Sequence, residues 1–152
     1  QRGDVLGITP TSLQETHYPD VNIFELPYAD EQFDFVLSDQ VFEHIEGNPQ
    51  TAINESLRVV KKGGIIVHTT VMICAIHGHD FWRFTPAGLA HLCRSATKIL
   101  SAEGWGHPIN PLFYFMGLTF LPVPDVKWHP LSLLARLKRE SYPTNVWVIA
   151  QK

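Results

Sequence analysis

Short apolar runs alternate along this chain with segments of helical period, and that alternation predicts an α/β fold with a mostly parallel sheet and helices on both faces. Val5–Ile8 reads as a short strand closed by Thr9-Pro10, and Val21–Phe24 as a second closed by Leu26-Pro27. Phe33–Leu37 (FDFVL) reads as a third, with almost no polar face, as a strand covered on both sides should. A helix is expected over Thr51–Lys62, because Ile53, Leu57 and Val60 fall on one stripe while Asn54, Glu55, Arg58 and Lys61 face away. Lys61-Lys62 suits the negative end of its dipole and Gly63 stops it, so the next strand is expected over Gly64–Thr70.

A loop over Val71–Phe84 follows, and Thr85-Pro86 has the cap and first-turn chemistry of a helix start. The stripe of that helix is Leu89, Leu92, Cys93 and Ala96. Lys98–Ala102 reads as a weak strand, Leu131–Glu140 as a short amphipathic helix and Asn145–Ala150 as the last strand. An irregular apolar insert spans about 107–141, proline-rich over 107–130 and ending in that helix. No internal repeat and no low-complexity run divides the chain, so residues 1–152 read as a single domain.

Composition narrows the choice of partner. With 45% hydrophobic and 18% charged residues, the chain has a core to bury and is not of the disordered class. Lys+Arg is 12 against Asp+Glu 15, which leaves no basic excess for a nucleic-acid backbone. Cys74 and Cys93 make no disulfide framework and no ligand spacing, which suits a reducing, cytoplasmic setting. The longest apolar stretch, Leu112–Val123, is shorter than the ~20 residues that a membrane span needs.

The stretch from Leu26 to Gly64 carries the chemistry. It reads LPYADEQFDFVLSDQVFEHI, then a helix containing NESLRVVKKGG, then a strand. This ordered series resembles the class I S-adenosylmethionine-dependent methyltransferases, in particular their type 11 group. HDFWRFTPAGLAHL, at 79–92, is similar to a segment of one branch of that group. The resemblance covers about residues 3–105, with 145–152 fitting the closing strand. It implies a Rossmann-like methyltransferase fold and S-adenosylmethionine as cofactor. The acceptor it implies is a small molecule or glycan-like group methylated on oxygen or nitrogen.

In an open α/β sheet ligands sit outside the carboxyl ends of the strands. Thr9, Asn22, Phe24, Ser38, Asp39 and Gln40 stand there, and are the expected cofactor-binding residues, with Phe24 against the adenine face and Asn22 at its edge. The family's glycine-rich strand would precede Val5, so the first strand and helix are expected to be missing. Thr9 and Asn22 stand where the family usually has acids. A sheet without its central strand must pair its flanking strands directly, borrow an edge from a second copy or fold residues 1–20 back. Direct pairing is expected, with homodimerisation. The rival reading is a methyltransferase-like domain without activity that serves as a binding or self-associating module.

Several side chains carry a second reading beside a bland one. His44, one turn past the third strand, is expected as a general base or as part of a helix-start pair with Glu43. Asp80, Trp82 and Arg83 are expected to face the acceptor, with Arg83 meeting an anion, and the aromatic run 81–84 either closes over substrate or anchors the helix at Thr85. His77, His79 and Asp80, with His68, have the composition of a metal site, but no metal is expected there. The apolar insert is expected to cover a sheet face. A dimer interface is the next reading, and a membrane surface the least favoured.

Overall fold

The computed structural model describes residues 14–16, 20–76, 78–107, 109, 116, 126, 128–137, 139 and 141–152. Within them four strands make one sheet: β1 Phe33–Asp39, β2 Val60–Val71, β3 Lys98–Trp105 and β4 Asn145–Gln151, in the order β1-β2-β4-β3. Three helices are described: α1 Pro49–Val59, α2 Pro86–Leu92 and α3 Pro130–Ala135. α1 is the crossover that makes β1 and β2 parallel. β4 enters between β2 and β3 from their carboxyl end and runs antiparallel to both. The α/β class and the methyltransferase-like arrangement therefore hold, but among the described pairings only β1–β2 is parallel.

α1 and α2 touch each other and pack on one face of the sheet. On that face Ile53 and Leu57 of α1 and Leu89 of α2 meet Ile66 of β2 and Val146, Val148 and Ala150 of β4. The strict alternation along β4, with every second residue buried, is what a strand with one covered face requires. Phe42, fully buried, joins this core to the end of β1 through ring contacts with His68 and Phe84.

α1 begins two residues earlier than its apolar stripe suggests. Asn48 accepts a hydrogen bond from Gln50 N at 3.0 Å, and Pro49 occupies the first turn. It also ends earlier, because the chain passes straight from Val59 into β2. Lys61 is therefore a strand residue that reaches Asp34 at 2.7 Å, and does not serve the helix end. Lys152 does so instead, donating to the carbonyls of Arg58 and Val60 at 3.3 and 2.9 Å. Gly63, at φ +77°, lies where the β1–β2 register jumps from Phe33↔Val60 to Phe35↔Ile65.

The strand expected at Val21–Phe24 is not one. Asn22 Oδ1 accepts from Phe24 N at 3.0 Å, and the segment makes only an isolated bridge between Asn22 and Glu25. A side chain that satisfies the backbone locally favours a turn over a ladder. The residues after it are tied to α1 by Arg58, which donates to the carbonyls of Leu26 and Tyr28 and to Asp30 and Glu55. The bond from Arg58 holds the Glu55 carboxyl below its usual range. α3 is shorter than the expected helix, and β3 runs three residues beyond Ala102. Val5–Ile8, Thr9, the direct pairing expected of that strand and most of the apolar insert lie outside the described residues.

Candidate active site

Where β1 and β2 end and β4 begins, the sheet opens into a cleft of about 250 Å³ lined by Gln40, Glu43, His44, Val71, Cys74, Asp80, Thr144 and Asn145. The topology accounts for its place. The parallel strands deliver their carboxyl ends together, and the 72–84 loop returns over them to reach α2. Gln40 carries the ladder one residue past β1, donating from its backbone N to the Thr69 carbonyl at 3.0 Å. It does so at φ +56°, a left-handed conformation that a non-glycine residue adopts at a cost and that turns the chain sharply into the cleft.

The loop is clamped to the floor by Glu43. Its backbone carbonyl accepts from Phe81 N at 2.7 Å and Trp82 N at 3.2 Å. Trp82 Nε1 adds a bond to the Ile45 carbonyl at 2.9 Å. These bonds bring Asp80 beside His44. Asp80 Oδ1 lies 2.9 Å from His44 Nδ1, and Asp80 Oδ2 accepts from Arg83 at 2.7 Å. The His79 carbonyl lies 3.3 Å from the same His44 nitrogen. Both neighbours of Nδ1 are acceptors, an arrangement that favours the tautomer with its proton on Nδ1 and its lone pair on Nε2. A carboxylate this close to an imidazole is the kind of neighbour that orients a base.

The expected site residues separate into groups. Gln40, His44 and Asp80 come together in the cleft. Arg83 sits behind Asp80, donates also to the Trp82 carbonyl at 2.9 Å, stands beside the Cys74 thiol, and does not line the cleft. The Ser38 hydroxyl lies 2.7 Å from His68 Nδ1 on the helix-facing side, and Asp39 bonds the Thr69 hydroxyl. Asn22 is exposed and spends its amide oxygen on Phe24 N. Phe24 packs on the core, with its ring so close to Gly47 that a Cβ there would lie 2.4 Å from Cζ. Neither Asn22 nor Phe24 lines the cleft.

His68 belongs to the core, with its ring centroid 4.7 Å from that of Phe42. Among the described residues no group of three or more His, Cys, Asp or Glu is placed to hold a metal ion. Burial pushes the Cys74 thiol up, so at neutral pH it is an uncharged wall of the cleft and not a nucleophile. The sequence offers Glu43 only in its pair with His44 and Thr70 only as a strand-end polar residue, and the bond between them is found in the structure. The signal was present in β2, where His68 and Thr70 are polar at alternate positions of an apolar strand and so face the covered side.

Burial alone lowers the His68 pKa to about 3. Below pH 6.5 the unfolded chain therefore takes up a proton that the folded chain refuses until about pH 3. Stability from this group is complete above pH 6.5 and is lost as pH falls through that window, by about 2 kcal/mol between pH 7 and pH 5. Urea unfolding at the two pH values is expected to show that fall in the wild type and a flatter profile in His68→Leu.

Comparison with known proteins bears on the fold. Residues 9–68 match the family model described as "Methyltransferase domain". An uncharacterized methyltransferase of Mycobacterium leprae is 36% identical over 83 residues, covering 52% of this chain and 28% of that protein. An uncharacterized protein of Methanocaldococcus jannaschii is 49% identical over 43 residues, 28% of this chain and 20% of that one. This chain thus spans about a quarter of the curated relatives that it matches.

Among solved structures, the cyclase SpnF superposes with a TM-score of 0.54 at 23% identity, covering 87% of this chain and 54% of its own. A SAM-dependent methyltransferase from Thermotoga maritima gives 0.52 at 18% identity, covering 86% of this chain and 61% of its own. These likenesses establish the Rossmann-like methyltransferase fold. The family's cofactor is S-adenosylmethionine. Among the described residues no helix is long and apolar enough to cross a membrane.

Proposed function

We propose that the protein takes part in S-adenosylmethionine-dependent methyl transfer, with the cleft at the ends of β1 and β2 as the place where the acceptor meets the donor. The observation that carries this reading is the His44–Asp80 pair in that cleft, on a segment continuous with the family match. When bound, the cofactor supplies a methyl group on a positively charged sulfur. Of the cofactor residues expected from the sequence, Gln40 lines this cleft and Asp39 stands beside it at the end of β1, and these two would hold the reacting end of the cofactor.

The cleft fits the reacting end of such a ligand. Its volume is below the ~300–1,000 Å³ of sites that enclose a whole drug-sized molecule. Gln40 offers an amide at the turn, where a donor and an acceptor are both useful. The chain's own contribution is alignment and proton removal. Asp80 fixes the imidazole ring, Arg83 fixes Asp80, and His44 Nε2 is left to accept a proton from the acceptor group. Glu43 holds the loop that carries Asp80. A small-molecule or glycan-like acceptor is consistent with a cleft of this size, and no nucleic-acid surface is needed.

Calorimetric titration of the folded chain with S-adenosylmethionine tests the reading. Saturable heat with a single site is expected. Absence of heat at millimolar cofactor would remove the enzyme and leave a methyltransferase-like binding module.

A further inference from the structure

Glu43 is 3% exposed and lines the cleft, yet its carboxylate bonds only a neutral group, the Thr70 hydroxyl, at 2.8 Å. No cation lies within ion-pair distance of it among the described residues. Arg83 reaches it only through longer-range charge and spends its fork on Asp80, the Trp82 carbonyl and the Cys74 thiol. The lining therefore holds two carboxylates, Glu43 and Asp80, and no lysine or arginine. One guanidinium behind the wall offsets one of the two. A buried carboxylate is costly unless it is paired, and here the open side of the pair is the cleft itself.

We propose that the acceptor admitted by this cleft is an amine, entering as its ammonium ion with Glu43 as counter-ion. The proposal rests on the methyl-transfer reading and names its acceptor class. A carboxylate or phosphate would meet like charge at Glu43 and Asp80, so the anion expected at Arg83 is not what the cleft favours. A hydroxyl would leave the Glu43 charge uncompensated.

An ammonium ion has no lone pair, so it must lose a proton before it can act as a nucleophile. His44 Nε2 is the acceptor of that proton. The N–H bond of the ammonium breaks, its electron pair stays on nitrogen as the lone pair, and the proton bonds to Nε2. The positive charge thereby moves onto the imidazole, where Asp80 at 2.9 Å stabilises it. Glu43 binds and His44 takes the proton, which gives the adjacent Glu43-His44 pair two separate tasks.

Three probes with one ring separate the charge from the apolar body. The folded chain is titrated at pH 7, by chemical-shift change, with benzylamine hydrochloride, benzyl alcohol and sodium benzoate. Benzylamine is expected to bind about tenfold more tightly than benzyl alcohol, with benzoate weakest. Glu43→Gln is expected to bring the amine and the alcohol level, since the Thr70 hydroxyl can donate to the new amide oxygen and keep the fold. Equal affinities in the wild type, preference for benzoate, no measurable binding of the amine, or an amine advantage that survives in folded Glu43→Gln would overturn the proposal. If the variant does not fold, the wild-type order of the three probes decides. The order is read without cofactor, so failure of the calorimetric titration above sinks methyl transfer and is a separate result.

Discussion

Replacing His44 by alanine is expected to lower methyl transfer about 10²- to 10⁴-fold, the range that a positioned general base contributes. The loss should fall on turnover, because the role proposed for the imidazole is at the acceptor and not at the β1 end that would hold the cofactor. Release of S-adenosylhomocysteine with time measures turnover, and calorimetry measures cofactor affinity, which should stay within about twofold because no charge at that end changes. Equal loss of both would mean that His44 shapes the cofactor site and does not act on the acceptor. Asp80→Asn keeps an oxygen for His44 Nδ1 but removes the charge that stabilises the imidazolium, so its loss should be smaller than that of His44→Ala and in turnover as well. The bonds from Glu43 to Phe81 and Trp82 are made by backbone groups, and neither substitution disturbs them.

Phe42→Ala carries the largest expected cost to the fold, about 3–5 kcal/mol, the usual range for emptying a fully buried aromatic site. Domains of this size have about 5–15 kcal/mol to lose, so the variant should sit near its unfolding threshold. The position matters beyond its volume. Phe42 precedes Glu43, and its ring lies against His68 at 4.7 Å and Phe84 at 6.4 Å. Those three rings fix the height of the loop that carries Asp80 over the sheet. A shifted urea midpoint at unchanged slope measures the loss of stability. A change below about 1 kcal/mol would show that the core closes around the gap and that Phe42 does not set the geometry of the cleft.

The sheet was legible in the sequence wherever the apolar pattern was strong and the strand had its partner in the same half of the chain. FDFVL, GIIVHTT and NVWVIA all appear as strands, each extended by one or more residues. Thr85-Pro86 caps α2 as its chemistry requires, with the Thr85 hydroxyl accepting from Gly88 N at 3.0 Å. The helix end at Val59 was not legible. Lys61-Lys62-Gly63 has the composition of a helix terminus, but Lys152, distant in sequence, takes over the carbonyls, and the pair with Asp34 draws Lys61 into the strand. Val21–Phe24 has strand composition and no ladder, because a local Asx turn uses its backbone.

The site shows the same division. The place of the cleft follows from strand ends, which a sequence can locate. The tasks of its side chains depend on which way they turn. Ser38 looks like a ligand and is a partner of buried His68. Glu43 looks like a helix-start residue and is the buried carboxylate of the floor. Arg83 looks like an anion receptor and is committed to Asp80. The contacts of Ser38 and Glu43 cross 30 and 27 residues of sequence, which no local pattern encodes, whereas Arg83 reaches Asp80 only three residues away.

Hydrogen–deuterium exchange with and without S-adenosylhomocysteine tests the central claim most directly, because it asks where a nucleoside thioether is received. Slowed exchange is predicted at 38–44, at the Thr69–Val71 end of β2 and at the backbone amides of Phe81 and Trp82. Protection confined to another face of the sheet, or none in a folded sample at saturating ligand, would contradict it.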